Sequence, residues 1–248
     1  LILIAMLLCW GSFLNVVAVR LINGVSLFAP SCCIHCAYPL SWYDLIPLIS
    51  WIALRGRSRC CNNPISLLYP SIELFTALSI GLLAQSSPPD YFFSYALFFS
   101  ALIVVIRSDI ETMLISRYTT LYLVPIGWLL SSVQLLPITL EQSIIASIAS
   151  YCILYAVGII FLITTGKEGL GIGDMDLLAL IGAFTGYLGA WVSLTLGSII
   201  GSIIGIIIII WYRTGKSTPI PFDPFLAIGA IAYVLYQNFF IDLLFISV

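Results

Sequence analysis

Runs of about 20 apolar residues recur along almost the whole chain, and this recurrence limits the fold more than any motif does. A helix of that length crosses a hydrocarbon core of about 30 Å. Of the 248 residues, 61% are hydrophobic and 8% are charged, whereas soluble domains carry about 25% charged residues. A water-soluble fold has no interior large enough for this apolar surface. We therefore expect an all-α polytopic membrane protein.

The apolar runs predict eight transmembrane helices. We expect the first to be a retained helix, because no basic segment precedes it and no small-residue cleavage site follows it. The predicted spans cover residues 1–19, 67–86, 91–107, 118–136, 142–164, 176–188, 190–212 and 224–246. The predicted domains are the first helix at 1–19, a small cysteine-containing domain at 20–66, and a seven-helix membrane domain at 67–248.

All nine basic residues fall on one side of the membrane in this eight-span topology. They are Arg20, Arg55, Arg57, Arg59, Arg107, Arg117, Lys167, Arg213 and Lys216. The positive-inside rule makes that side cytoplasmic, so the cysteine-containing domain is expected there. The basic residues are few, and their positions are explained by the orientation of the membrane spans. The charge pattern therefore gives no indication of nucleic-acid binding.

Two pairs of cysteines in the 20–66 segment predict a structural metal site. Cys33 and Cys36 form a CxxC, and Cys60-Cys61 follows about 24 residues later. Tetrahedral zinc prefers thiolates at such spacings, and a reducing cytoplasm makes a disulfide the less favoured use. The predicted ligands are Cys33, Cys36 and Cys61. The fourth position is left open between Cys60, His35 and a water molecule, because Ser58 stands where a second CxxC needs a cysteine. The alternative is a domain of free thiols that holds no metal.

Two acidic clusters flank predicted spans on the cytoplasmic side. Asp109 and Glu111 follow the third span, and Glu168, Asp174 and Asp176 precede the sixth. Ionisable groups at the membrane face of so apolar a chain are functional candidates. Two carboxyl groups held together share a proton, so that one acts as an acid and the other as a base. Such a pair activates water for attack on a peptide carbonyl.

Glycines surround the second acidic cluster. Gly171 and Gly173 allow a substrate backbone to approach Asp174 closely, because they carry no side chain. The structural alternative is that Asp174 and Asp176 only favour the N-terminus of the sixth span through its dipole. Taken alone, these residues leave both interpretations open.

A series of short motifs runs through the chain in a fixed order. They are Gly11 to Val17, Trp42 to Asp44, Ile46 to Trp51, Arg55 to Arg57, Pro64 to Ser66, Tyr69-Pro70 with Glu73, Asp109 to Ile115, Glu168 to Asp174, Gly182-Ala183, Pro221-Phe222 and Pro224 to Ala227. In these motifs the chain resembles the type IV leader (prepilin) peptidases, which are bacterial GxGD-type membrane aspartic proteases. The resemblance extends in order over some 220 residues, and the collinearity makes it specific.

The resemblance implies a specific activity at the bacterial inner (cytoplasmic) membrane. Enzymes of this family remove the short basic leader from type IV prepilins and type II secretion pseudopilins on the cytoplasmic side. Many also methylate the new N-terminus with S-adenosylmethionine. The resemblance assigns Asp109 and Asp174 as the catalytic pair, and we expect Gly171, Gly173, Glu111, Glu168 and Asp176 to shape the site. It also implies that the cysteine domain binds zinc and serves methylation.

Several positions depart from the family pattern. Glu111 stands where a second aspartate is usual, and Asp176 replaces a common lysine. Ser116-Arg117 replaces a Pro-Asp pair, and Ser58 replaces the expected third cysteine. The two alternative functions are a catalytically degenerate scaffold of a pilus or secretion system and a transporter. Carriers place polar groups at the bilayer midplane, whereas the acids of this chain gather at one membrane face.

Overall fold

The computed structural model describes residues 2–167, 169–212 and 221–245. The chain forms two compact units, Leu1–Gln85 and Ser86–Val248. Regular structure in the described ranges is helical, apart from two isolated antiparallel bridges, Cys32 with Pro39 and Arg57 with Pro64. The all-α prediction is confirmed.

The first unit contains two long apolar helices separated by a polar segment. Helix α1 is Ile2–Asn23, α2 is the short helix Ile49–Ala53, and α3 is Leu68–Ser86, with a 3-10 turn at Trp42–Leu45. Helices α1 and α3 approach closely at Gly11, where an added Cβ would lie 2.8 Å from the Cα of Glu73. One turn further along α1, the Asn15 amide donates to the carbonyl of Tyr69 at 3.1 Å. Small and polar residues thus join two helices that are otherwise apolar.

A buried carboxylate fastens the polar segment to α3. The backbone N–H of Leu48 donates to Oε2 of Glu73 at 2.8 Å, and Glu73 is 7% exposed. Leu48 has a φ of 59°, in the left-handed region that a branched side chain seldom adopts. The contact with Glu73 helps to hold this unusual backbone at the start of α2.

The second unit is a bundle of helices that carries most of the acidic residues at one end. Its helices are α4 (Pro89–Thr112), α5 (Val124–Ser132), α6 (Leu140–Thr165), α7 (Ile172–Tyr212), α8 (Asp223–Leu235) and α9 (Gln237–Phe245). Helix α7 packs against both α6 and α8, and α4 packs against α8. The C-terminal end of α4 and the N-terminal ends of α7 and α8 therefore meet.

The described residues contain five helices long and apolar enough to span a membrane. The number becomes six if α8 and α9, which meet at a bend of 90°, form one broken span. The count of eight is not confirmed. The predicted spans at 176–188 and 190–212 both lie within α7, which consists of two helical segments joined by a kink at Gly186, where φ is 71°. The predicted span at 118–136 contains only the short apolar helix Leu121–Ser132.

Helix α6 turns small polar residues inward and large apolar residues outward. Ser143 and Ser147 are buried, whereas Ile163 is 78% exposed. The hydroxyl of Ser143 donates to the carbonyl of Ala183 on α7 at 2.6 Å. Nearby, a Cβ on Gly182 would lie 2.7 Å from the carbonyl oxygen of Ala146. Close helix packing through small residues, with apolar side chains outside, is the arrangement expected in lipid.

Candidate functional site

Asp109 lies in the last turn of α4, and its carboxyl group is buried. The apolar residues that precede it place it at the end of a helix whose last half is almost fully buried. Its side chain is 5% exposed, and its Oδ2 has no hydrogen-bond partner among the described residues. The carboxylate interacts with the backbone N–H of Asp223 and with the charge of Asp174. The structure thus brings Asp109 close to Asp174, 65 residues away in the chain.

Asp174 lies in the first turn of α7. Its Oδ2 accepts the backbone N–H of Gly171 at 2.8 Å, which is the reach-back contact of an acidic residue at the start of a helix. The capping interpretation of Asp174 is therefore correct for one of its oxygens. The carboxyl group also comes within hydrogen-bonding reach of the Asp223 side chain. Asp174 is thus both a helix-start contact and a member of a carboxyl cluster.

Asp223, the first residue of α8, is the member of this cluster that the sequence analysis missed. It is 3% exposed, and its Oδ1 has no hydrogen-bond partner in the described ranges. Its position between Phe222 and Pro224 falls inside a motif that was recognised for its prolines and aromatic residues. The same criterion that selected Asp109 and Asp174, an acid at the end of an apolar helix, applies to Asp223. Three carboxyl groups therefore converge where α4, α7 and α8 meet.

The two neighbouring acids predicted to shape the site already have basic partners. Asp176 is 2% exposed and pairs through Oδ2 with Nε of Arg117 at 3.2 Å. Glu111 pairs with the fully buried Arg107 at 2.5 Å, one turn apart on α4. Both carboxylates therefore form ion pairs with arginines of the same chain. The third neighbouring acid, Glu168, lies outside the described residues.

The two glycines of the second acidic cluster differ in their surroundings. A Cβ on Gly173 would lie 2.8 Å from Cδ1 of Ile115, whereas a Cβ on Gly171 would contact only Oδ2 of Asp174 at 3.3 Å and the Gly173 nitrogen at 3.9 Å. Gly173 thus allows the segment after α4 to pack on the start of α7, which helps to bring Asp109 and Asp174 together. A side chain at position 171 would crowd Oδ2 of Asp174, so glycine there keeps that carboxylate oxygen uncovered.

The four cysteines at positions 33, 36, 60 and 61 lie on two turns of the same shape. In the first turn, Cys33 N–H donates to Tyr38 O, and Ala37 N–H donates to Cys33 O. In the second turn, Ser58 N–H donates to Asn63 O, and Asn62 N–H donates to Ser58 O. Ala37 and Asn62 both have a positive φ, 55° and 58°. The two turns therefore superpose Ser58 on Cys33 and Cys61 on Cys36. This geometry identifies Ser58 as the position where the second CxxC lacks its first cysteine.

Cys60 supplies the sulfur that Ser58 lacks. The Sγ atoms of Cys33, Cys36, Cys60 and Cys61 lie within 4.8 Å of one another, so this cluster can hold a metal ion. Tetrahedral zinc with Zn–S bonds of about 2.3 Å requires sulfurs about 3.8 Å apart. The Cys33–Cys61 and Cys36–Cys60 separations are 3.7 and 3.1 Å. The other open candidate, His35, instead contacts the carbonyl of Pro64 at 3.3 Å.

The thiols of this cluster have unequal proton affinities. The backbone N–H groups of Cys36 and His35 lower the pKa of Cys33 to about 6. The Ser58 hydroxyl, 2.9 Å from its sulfur, lowers the pKa of Cys61. The Cys36 thiol raises the pKa of Cys60 to about 12. A cation bound among these sulfurs would favour the thiolate form of each of them.

Two family models and a set of curated relatives match the chain. Residues 5–86 match the Bacterial Peptidase A24 N-terminal domain, and residues 96–210 match the Type IV leader peptidase family. A prepilin leader peptidase/N-methyltransferase of Aeromonas hydrophila is 38% identical over 84% of this chain and 72% of its own length. A protein of the same name from Pectobacterium carotovorum subsp. carotovorum is 33% identical over 92% of this chain and 90% of its own length. No solved structure matches the chain.

Proposed function

This chain belongs to the type IV leader peptidase family, and on that premise we propose that it is a membrane-embedded aspartic endopeptidase. Its proposed substrates are type IV prepilins or type II secretion pseudopilins, from which it removes the leader peptide. The relatives carry the name prepilin leader peptidase/N-methyltransferase and cover most of the chain. The observation that supports the proteolytic part is the convergence of Asp109 and Asp174 at one end of the helical bundle.

The proposed mechanism needs only these two carboxyl groups and a water molecule. The ionised carboxylate takes a proton from water as the water oxygen bonds to the carbonyl carbon of the scissile peptide. The protonated carboxyl group gives its proton to the carbonyl oxygen, so a neutral tetrahedral diol forms without a covalent enzyme intermediate. Breakage of the C–N bond follows, with a proton passing to the leaving nitrogen. Burial of Asp109 keeps competing bulk water away from the pair.

The ion pairs formed by Asp176 and Glu111 support a role for these two acids in holding the helices around the aspartate pair. We propose that the Asp176–Arg117 pair fixes the start of α7 against the segment that follows α4. The Glu111–Arg107 pair does the same for the last turn of α4, and its Glu111 side chain is 44% exposed. Glu111 is therefore the described acid of this set that remains accessible to a basic leader. Because Gly171 carries no side chain over Oδ2 of Asp174, a substrate backbone can approach that carboxylate.

The proposed location is the bacterial inner membrane, with the aspartates on the cytoplasmic side. The chain is a multi-pass membrane protein, because it contains several long apolar helices. The positive-inside rule supports the orientation, because all nine basic residues lie in segments that the eight-span topology assigns to one side. In the described ranges, Arg107 and Arg117 also lie near the carboxyl cluster, at the same end of the second unit.

We propose that the cysteine cluster binds a structural zinc ion through Cys33, Cys36, Cys60 and Cys61. Their sulfur separations suit tetrahedral coordination, and two of the four thiols are stabilised as thiolates by neighbouring donors. Zinc would close the two matched turns around one centre and stabilise a segment too short for a large apolar core.

The second activity in the relatives' name, N-methylation, is also proposed for this chain. S-adenosylmethionine would supply the methyl group to the amino group that cleavage exposes. We assign no described residues to this cofactor. The product that distinguishes the two activities is a mature pilin in which a methyl group replaces one hydrogen of the new amino group, so that its mass exceeds that of the cleaved chain by one CH2.

Cleavage of a full-length prepilin in proteoliposomes tests the proposed function. The comparison includes wild type, Asp109→Asn and Asp174→Asn, and mass spectrometry identifies both fragments. Asp90→Asn is the matched control, because Asp90 is an exposed acid in the first turn of α4. We expect cleavage after a leader glycine by wild type and by the control, and none by the two site variants.

Two outcomes would contradict the proposal. If Asp109→Asn or Asp174→Asn cleaves at the wild-type rate, the aspartate pair is not the catalytic centre. If wild type fails to cleave several prepilins that a relative cleaves under the same conditions, the chain acts as a scaffold rather than as a peptidase.

A further inference from the structure

Asp223 touches both members of the aspartate pair and has no part in the two-carboxyl mechanism. Its backbone N–H interacts with the Asp109 carboxylate. Its side chain is within hydrogen-bonding reach of Asp174. It is 3% exposed and begins α8 directly before Pro224, which has no N–H. The first free N–H of this helix, where the dipole is positive, is therefore directed at Asp109.

The contact between Asp174 and Asp223 requires a shared proton. An ionised carboxylate only accepts hydrogen bonds, so two carboxyl groups bond to each other only if one of them is protonated. Among the described residues, the charged groups that act on the Asp223 carboxyl belong to Asp174, Asp109 and Asp176. Arg117, which lies beside this cluster, is paired with Asp176. A proton shared between Asp174 and Asp223 satisfies this requirement.

We propose that Asp223 is a positioning residue for the catalytic pair. Its N–H fixes the carboxylate of Asp109, and its carboxyl group shares a proton with Asp174 and so fixes the orientation of that side chain. This inference rests on the proposed function, since it presumes that Asp109 and Asp174 hold the attacking water.

Two contacts then constrain the Asp174 carboxyl group. Gly171 N–H holds Oδ2 at 2.8 Å, and the shared proton with Asp223 prevents the carboxyl group from rotating about its own axis. The backbone N–H of Asp223, at the start of α8, restrains the Asp109 carboxylate. One residue thus sets the relative position of two groups carried by α4 and α7, and small misplacements of such groups reduce rates strongly.

Steady-state cleavage by Asp223→Asn and Asp223→Ala tests this role. Asparagine keeps the backbone N–H, nearly the same volume and a hydrogen that its amide can donate to Asp174. We expect Asp223→Asn to keep kcat within about fivefold of wild type, and Asp223→Ala to lose about 100-fold in kcat with KM little changed. The matched control is Asp90→Ala, which removes the exposed first-turn acid of α4.

The kcat and KM comparison separates positioning from a purely structural role. A helix-start acid that only stabilises the fold would lower the amount of folded enzyme and leave kcat per folded molecule unchanged. Folded protein is therefore quantified by gel filtration in detergent before each assay. If Asp223→Ala does not fold, Asp223→Ser takes its place, because serine suits a helix start but does not reach Asp174.

The outcomes distinguish failure of this inference from failure of the proposed function. Wild-type kcat in Asp223→Ala, with Asp109→Asn inactive, would overturn the inference and leave the peptidase intact. Loss of activity in Asp223→Asn equal to that in Asp223→Ala would overturn the shared-proton part, because the amide retains a donor. No cleavage by wild type would overturn the proposed function itself.

Discussion

Substitution of Gly182 by alanine tests whether close contact between α6 and α7 holds the site together. An added Cβ would lie 2.7 Å from the carbonyl oxygen of Ala146 and 2.9 Å from the hydroxyl of Ser150, whereas ordinary contacts begin at 3.4 Å. The two helices would have to part by about 3.4 − 2.7 = 0.7 Å. The blocking atom is backbone, so a side-chain rotation cannot relieve the contact.

The loss of stability in Gly182→Ala follows from the contacts between α6 and α7 that this separation disturbs. Overpacking of a well-packed contact costs about 1–3 kcal/mol, and a gap of 0.5–1 Å removes roughly a quarter to a half of the dispersion energy of the facing atoms. It would also lengthen the buried bond from Ser143 to the carbonyl of Ala183, now 2.6 Å. The substitution also brings a gain that opposes this cost, because alanine stabilises a helix interior by about 1 kcal/mol relative to glycine.

Gly81→Ala provides the matched control, because it isolates the steric cost. Gly81 is a helical glycine of α3 whose added Cβ would meet only Cδ1 of Leu7 at 3.8 Å. The propensity gain is common to both variants and cancels in their difference. We therefore expect Gly182→Ala to be less stable than Gly81→Ala by about 1–3 kcal/mol, measured by unfolding in mixed micelles of sodium dodecyl sulfate.

The same substitution should also reduce cleavage. Gly182 lies eight residues after Asp174 on one helix, about 12 Å along its axis, so displacement of α7 moves the carboxyl group. We expect a loss of about 10-fold or more in kcat under conditions where the variant remains folded. Equal stability and equal kcat in Gly182→Ala and Gly81→Ala would refute the close-contact argument.

Two further predictions concern the cysteine cluster and the ion pair beside the site. Cys60→Ser should abolish stoichiometric zinc in the purified protein, measured by plasma mass spectrometry. The double variant Cys60→Ser/Ser58→Cys should restore it. Full zinc content in the single variant would exclude Cys60 as a ligand. Arg117→Gln should destabilise the protein by about 1 kcal/mol, because it leaves the buried Asp176 carboxylate without its cation. Addition of Asp176→Asn to that variant should recover the stability, and no recovery in the unfolding assay would show that the pair is not the cause.

Local sequence determined the helical class and the location of the main acids. The apolar runs required helices in lipid, and Asp109 and Asp174 follow and precede such runs. Their approach to each other depends on Ile115 packing on Gly173, a contact that periodicity does not reveal. The resemblance to the family paired them where composition alone left capping as an alternative.

The span count was not confirmed and the third carboxyl group was missed, for different physical reasons. Apolar sequence is similar in a long span, a short helix and a kinked pair of helices, so neither the kink at Gly186 nor the short helix at Leu121–Ser132 could be located from the sequence. Asp223 joins the site only because α8 packs against both α4 and α7. That packing is a long-range property of the fold, although the position of Asp223 at a helix start was visible.

The register of the cysteine cluster was only partly predictable. The sequence marked Ser58 as a departure and left the fourth ligand open. The matched turns around Ala37 and Asn62 identify Ser58 as the counterpart of Cys33. The adjacent Cys60 reaches the cluster because its sulfur lies 3.1 Å from that of Cys36.

The measurement that tests the central claim most directly is a double-mutant cycle on the aspartate pair. Residual single-turnover cleavage is measured in proteoliposomes for Asp109→Asn, Asp174→Asn and the double variant. If the two carboxyl groups act as one unit on a shared water, the double variant will be no slower than either single variant, because each alone already removes the unit. If the two losses multiply in the double variant, the carboxyl groups act independently and the account of a joint catalytic pair is wrong.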